Sequence, residues 1–270
     1  MTRNEIQQNF AIGFVIYNPD VEFLNKLKSI LNSGYSIYIF DNSPEISLIR
    51  DEFRNYTNIN YFSAGKNVGL GFGLSVVCSN AYYDNYRKLL FFDQDTIFSV
   101  KTLGFVSEFS KTQQNKFKKY AAVLFNSNCK KNKNQFDIRD KNLIISSGSL
   151  FNLENLIKME WHNTNYFVDG VDYNFCLKAN LNKYLIGECS NAPDFDHVTG
   201  QDDKEYYFFK KKLLLRPYNL KRILDSLDAY RKLIISSFCS LNFKYAFIFM
   251  KSLLIYCYYQ ILVRILIFLK

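Results

Sequence analysis

Apolar positions divide the first half of the chain into short runs of strand length that alternate with stretches of helical spacing. Residues 11–17 (AIGFVIY), 36–40 (SIYIF), 59–62 and 88–92 (KLLFF) are apolar runs, each followed by polar or glycine-bearing residues that read as turns. Between them, residues 21–31 (VEFLNKLKSIL) repeat apolar side chains every three or four positions, and residues 71–83 read as a second helix. Such alternation predicts an α/β fold, a mostly parallel sheet with helices on both faces. Further on, residues 120–125 and 143–147 read as strands around the polar loop 126–134, residues 172–179 as a helix and 184–186 as a short strand.

In an open α/β sheet, ligands bind beyond the carboxyl ends of the strands, so the chemistry is sought just after each run. Four polar motifs fall there in order: Tyr17-Asn18-Pro19, Asp41-Asn42-Ser43, Asn67-Val68-Gly69-Leu70-Gly71-Phe72-Gly73 and Asp93-Gln94-Asp95. Asp93 and Asp95 point the same way from extended backbone. Carboxylate oxygens suit a hard divalent cation such as Mg2+ or Mn2+ that keeps positions open for phosphate oxygens; a solvated acidic turn is the plain alternative. The glycine run follows the third strand with the spacing G-x-G-x-G, a poor match to the dinucleotide fingerprint. It reads either as clearance for a donor passing Gly69 and Gly71, with Asn67 adding an amide, or as a structural turn. Asp41 is placed to meet a ribose hydroxyl or a base N–H, or else to cap a turn.

Asp169 and Asp172 lie three apart at a loop-to-helix junction, where Asp172 is the candidate general base and either is equally a helix cap. His197, before a glycine turn, is a candidate third metal contact. Trp161 offers a ring on which a ligand can stack, and His162 reads as a packing residue.

Composition changes this picture in the last quarter. Residues 204–270 hold 13 Lys or Arg against Glu205, Asp225 and Asp228, a net of +10, which leaves the preceding 203 residues at −1 and accounts for the whole +9. A catalytic domain over 1–203 and a basic, apolar helical region over 204–270 follow. In that region the longest charge-free run, residues 252–263, is shorter than the ~20 apolar residues a spanning helix needs. It is therefore expected to lie on an anionic membrane surface, with packing on the catalytic domain or a homo-oligomer interface as alternatives. Because the basic residues border apolar ones, nucleic acid is not the expected partner. The six cysteines include no CxxC pair and read as buried, reduced thiols. No secretory signal pattern opens the chain, so a cytoplasmic location at the inner face of the cell membrane is expected.

Taken together, Y-N-P, D-N-S, N-V-G-L-G-F-G, D-Q-D after LLFF, S-S-G-S at 146–149, F-V-D-G-V-D-Y-N-F-C and H-V-T-G resemble the family 2 glycosyltransferases of GT-A fold, nearest in pattern to the bacterial rhamnosyltransferase-like branch. The resemblance spans roughly residues 10–216. It implies an inverting, single-displacement transfer from a nucleoside diphosphate sugar, rhamnose favoured, to a hydroxyl of a lipid-linked or surface-polysaccharide glycan; the basic tail, docked on a membrane, suits an acceptor linked to a polyprenyl diphosphate. Galactofuranosyl or hexosyl donors are the alternative. On this resemblance Tyr17, Asn18, Asp41, Asn67, Gly69, Gly71, Asp93 and Gln94 line the donor, and Asp93, Asp95 and His197 hold the metal. Asp172 is the base, and Ser147, Gly148, Trp161 and Asp169 border the acceptor. Val171 stands where the branch has an acid, and the Q-x-x-R-W of processive synthases is missing, which favours one sugar per visit. A nucleic-acid-binding protein and a non-catalytic nucleotide-sugar-binding protein are the readings from other classes.

Overall fold

The computed structural model describes residues 9–44, 48–53, 55–127, 135–196, 203–208 and 211–268. It divides into two compact units, residues 1–197 and 198–270.

Unit one is a single mixed sheet. Strands β1 (Ala11–Ile16), β2 (Ile37–Asp41), β3 (Ile59–Ser63) and β4 (Lys88–Asp93) are parallel in the order β3-β2-β1-β4. The sheet continues through β7 (Ser149–Asn152), antiparallel to β4, then β5 (Tyr120–Phe125), β8 (Leu185–Cys189) and the two-residue β6 (Arg139–Asp140). Every residue of β1 and β2 is buried, as their unbroken apolar runs require when helices cover both faces. The expected mostly parallel α/β sheet is therefore present.

Helix α1 (Val21–Leu31) spans the predicted residues, with Asp20 accepting from the Phe23 N–H as its N-cap and Phe23, Leu24, Leu27 and Ile30 on its buried face. Helix α3 (Leu70–Tyr83) packs on β1 and β2. Three helices of this unit were not anticipated: α2 (Leu48–Phe53), α4 (Val100–Thr112) and α6 (Leu153–Lys158), besides the single turn α5 (Gln114–Phe117). The strand read at 143–147 is a correction. The ladder begins at Ser149, and Ile144 is instead tied by its N–H and carbonyl to the Cys176 thiol.

Unit two holds a hairpin, β9 (Lys204–Phe208) with β10 (Lys211–Leu215), and two helices, α8 (Leu220–Cys239) and α9 (Phe243–Phe268). Tyr206, Leu215, Leu262, Val263 and Leu266 form its own small core. At 26 residues, about 39 Å, α9 is by length and composition long and apolar enough to cross a membrane, and 28% of its most apolar window is buried. The cysteines divide: Cys78, Cys176 and Cys189 are buried thiols as expected, whereas Cys239 is exposed and Cys257 partly so.

Candidate active site

The carboxyl ends of β1, β2 and β4 place Tyr17, Asp41 and Asp93 along one edge of the sheet, and side-chain bonds then fix the loops that leave them. Asn18, with φ 45°, donates its N–H to the Ser43 hydroxyl at 2.8 Å, joining the first loop to the second. Asn42 joins the second to the third. Its amide accepts from the Val68 N–H at 3.0 Å and donates to the Gly69 carbonyl at 3.2 Å.

Gln94 lies between two neighbours. Its side-chain oxygen accepts the Tyr17 N–H at 2.8 Å, and its carbonyl accepts the Lys26 ammonium of α1 at 2.6 Å. Burial lowers the Lys26 pKa, and the opposing pull of Asp95 comes second. Lys26 is a residue the motif reading missed, because only the packing of α1 brings it to the D-Q-D turn.

Two consecutive serines connect the acidic groups. Ser147, 1% exposed, receives the Asp93 N–H at 3.0 Å and shares a 2.6 Å hydroxyl contact with buried Thr96. Ser146 directs both its N–H, at 3.0 Å, and its hydroxyl to Oδ1 of Asp172. Asp172 occupies the first turn of α7 (Val171–Leu181), whose N-cap is Gly170 at φ 85°, so neither Asp169 nor Asp172 is spent as the cap residue. Burial pushes the Asp93 carboxyl up to about 7; the negative charges of Asp172 and then Asp95 push the same way. Three carboxylates thus act on one another at the strand end, Asp95 the most exposed of them.

Other expected contacts have a different setting. Asp41 is fully buried; its oxygens accept the Ser43 N–H at 2.8 Å and the Tyr61 hydroxyl at 2.7 Å, which shape the loop. Asn67 accepts the Gly69 N–H at 3.0 Å. The clearance at the glycines is taken up by protein. A Cβ on Gly69 would lie 2.5 Å from the Phe167 carbonyl oxygen, and one on Gly71 2.6 Å from that of Asn163, so segment 163–167 rides directly on the start of α3. Gly148 is buried at φ 76° with Phe195 where its Cβ would be. Trp161 sets its ring edge-on to Tyr82 at 5.7 Å. Asp169 is partly buried beside Gly170. His162 stacks on Phe175 at 5.4 Å, and burial takes its pKa down to about 3, so it is a neutral packing residue. His197 lies outside the described residues.

Among the described residues, no group of three or more His, Cys, Asp or Glu is gathered closely enough to cage a metal ion. Two carboxylates in mutual repulsion, Asp93 and Asp95, nevertheless fit a cation of the Mg2+ or Mn2+ kind, which takes one or two carboxylates and fills its sphere with water and phosphate oxygens.

No protein-family model and no curated protein matches the sequence. Solved structures do. Crystal structures of S. aureus TarS match 69% of this chain (residues 1–349 of TarS, TM-score 0.52) and 72% (TarS, TM-score 0.53), both at 17% identity. GalNAc-T7 with UDP, GalNAc and Mn2+ matches 69% at TM-score 0.53 and 11% identity. The fold is GT-A. This GT-A chain covers 59%, 37% and 43% of those three chains respectively, so the likeness concerns the fold alone.

Proposed function

We propose that this chain transfers one sugar from a nucleoside diphosphate donor to an acceptor hydroxyl by a single, inverting displacement. The observation that carries the reading is the serine pair, which holds Asp172 through Ser146 and Asp93 through Ser147 at the end of β4. On this reading the proposed donor end and the proposed base are linked through two adjacent residues. Asp172 takes the acceptor proton as the hydroxyl attacks the anomeric carbon, and the glycosidic C–O bond to the diphosphate breaks as the new one forms. Asp93 and Asp95 would hold Mg2+ or Mn2+ beside the diphosphate. When bound, the cation neutralises charge on the leaving group. Lys26 and Tyr17 fix the D-Q-D turn through Gln94.

Support for a nucleotide-sugar donor comes from the fold. A TarS structure matched at TM-score 0.50 holds UDP-GlcNAc, and the GalNAc-T7 structure holds UDP, GalNAc and Mn2+. The motif resemblance favours a rhamnosyl donor, so rhamnosyl and UDP-hexosaminyl nucleotides are the donors to compare. A lipid-linked glycan acceptor at the membrane's cytoplasmic face belongs to the same reading, which the exposed apolar residues of α9 support.

Asp172→Asn tests the central step. The variant is expected to bind donor with unchanged affinity and to turn over about 10²- to 10⁴-fold more slowly. Near-normal turnover would remove Asp172 from the role of base.

A further inference from the structure

Apolar residues occur all round α9, so only its packing tells one face from another. On one side it packs against α8 and β9, with Tyr245, Phe249, Val263 and Leu266 buried. On the other, Phe243, Phe247, Leu254, Tyr258, Ile261 and Ile265 stand open to solvent, from 48% exposed for Ile265 to 71% for Leu254. Successive members of this set are three, four or seven positions apart, so they form one stripe, about 33 Å long.

The charges beside the stripe have one sign. Lys244 and Lys251, both exposed and two turns apart, run along one edge of it, and α9 contains no Asp or Glu. Nearby acids are already engaged: Glu205 pairs with Lys212, and Asp228 with Arg231 and Lys232. A second copy of the stripe would therefore cover these ammonium groups with a face that holds no carboxylate, which leaves them buried and unpaired. An anionic lipid surface covers the apolar residues and brings phosphates to the lysines.

The same helix is tied along its other side. Gln260 donates to the Arg216 carbonyl at 3.0 Å and Arg264 to the Tyr218 carbonyl at 2.9 Å, while Leu262, Val263 and Leu266 share a core with Tyr206 and Leu215. Drawing α9 across a bilayer would break these contacts and carry Lys251, Gln260 and Arg264 into hydrocarbon. We infer that α9 lies in the plane of an anionic membrane, with its stripe sunk into one leaflet, Lys244 and Lys251 reaching lipid phosphates from the edge, and unit two otherwise intact. This adds a docking face to the membrane-side reading above without resting on the transfer chemistry.

The test is sedimentation of the full chain with phosphatidylcholine vesicles, plain or doped with phosphatidylglycerol; it needs neither donor nor acceptor, so its failure and that of Asp172 as base are told apart. Wild type is expected to prefer the anionic vesicles and to be released from them by alkaline carbonate. Lys244→Gln/Lys251→Gln should weaken that binding about thirty-fold, whereas Lys111→Gln/Lys158→Gln, with the same change in net charge, should weaken it by less than about three-fold. Phe247→Ser/Leu254→Ser/Ile261→Ser, at three exposed positions, should weaken it about a hundred-fold with unchanged thermal unfolding. Equal losses in the two glutamine variants or vesicle binding that survives the serine substitutions would overturn the proposal. So would retention after carbonate, which marks a crossing helix, or a wild-type dimer in sedimentation velocity that the serine variant dissociates while vesicle binding persists.

Discussion

Ser146→Ala removes one atom and isolates the coupling on which the proposed chemistry depends. The Ser146 hydroxyl donates to Oδ1 of Asp172, and the backbone N–H of the same residue donates to the same oxygen at 3.0 Å. Alanine keeps the second bond and loses the first. A hydrogen bond to a charged group contributes about 1.5–3 kcal/mol. If that energy is spent in holding the carboxylate towards the acceptor, its loss lowers kcat about 10- to 150-fold, at 1.36 kcal/mol per factor of ten.

The donated bond also favours the ionised carboxylate, so its removal should move the acidic limb of the kcat/KM profile to higher pH. Initial rates against pH, at saturating donor and metal, measure both effects, and thermal unfolding of the same preparation checks that the fold survives. Ser146→Thr, which restores a hydroxyl, should recover most of the rate. A variant with wild-type kcat and an unmoved profile, or with a change confined to the donor KM, would refute the positioning argument.

Other consequences concern stability and protons. Gly71→Ala should destabilise the fold by roughly 1–3 kcal/mol, because the new Cβ meets the Asn163 and Tyr166 carbonyl oxygens at 2.6 and 2.8 Å; Gly104→Ala, at an exposed position of α4 with nothing within 4 Å, should stabilise it by about 1 kcal/mol in urea unfolding. His162 ionises near 6.5 when unfolded but is held down to about 3 when folded, so its contribution is fully present above pH 6.5 and declines at about 1.4 kcal/mol per pH unit as pH falls towards 3; His162→Phe should remove that part of the acid slope. With Asp93 pushed up to about 7, cation binding below that pH must displace a proton, so Mn2+ affinity should fall as pH drops from 7 to 5, and calorimetry in buffers of different ionisation enthalpy should register proton release.

The strand ends that organise the site were legible because β1, β2 and β4 are buried on both faces and so appear as unbroken apolar runs. Helix α1 was legible for another reason: its buried stripe of Phe23, Leu24, Leu27 and Ile30 repeats at helical spacing. Helix α4 escaped notice although Ser99 and Thr102 form a capping box at its start, since Gly104 and Val106 dilute its helical pattern. The acidic groups themselves were legible from their place after strands. What the sequence does not carry is the connection between them. Ser146 is 26 residues from Asp172 and Ser147 is 54 from Asp93, and only the antiparallel insertion of β7 beside β4 brings them into contact. Asp41 as a turn cap and the glycines as a structural turn stood among the alternatives, and Asp41 does accept the Ser43 N–H; hidden were their tertiary neighbours, Tyr61 in one case and segment 163–167 in the other.

The central claim is that the end of β4 binds a nucleoside diphosphate through a cation held by Asp93 and Asp95. Calorimetric titration of UDP, with and without Mn2+, into wild type and Asp95→Asn tests it most directly. The account predicts binding to wild type that requires Mn2+ and is abolished in Asp95→Asn; equal affinity in the two proteins, or affinity indifferent to Mn2+, would contradict it.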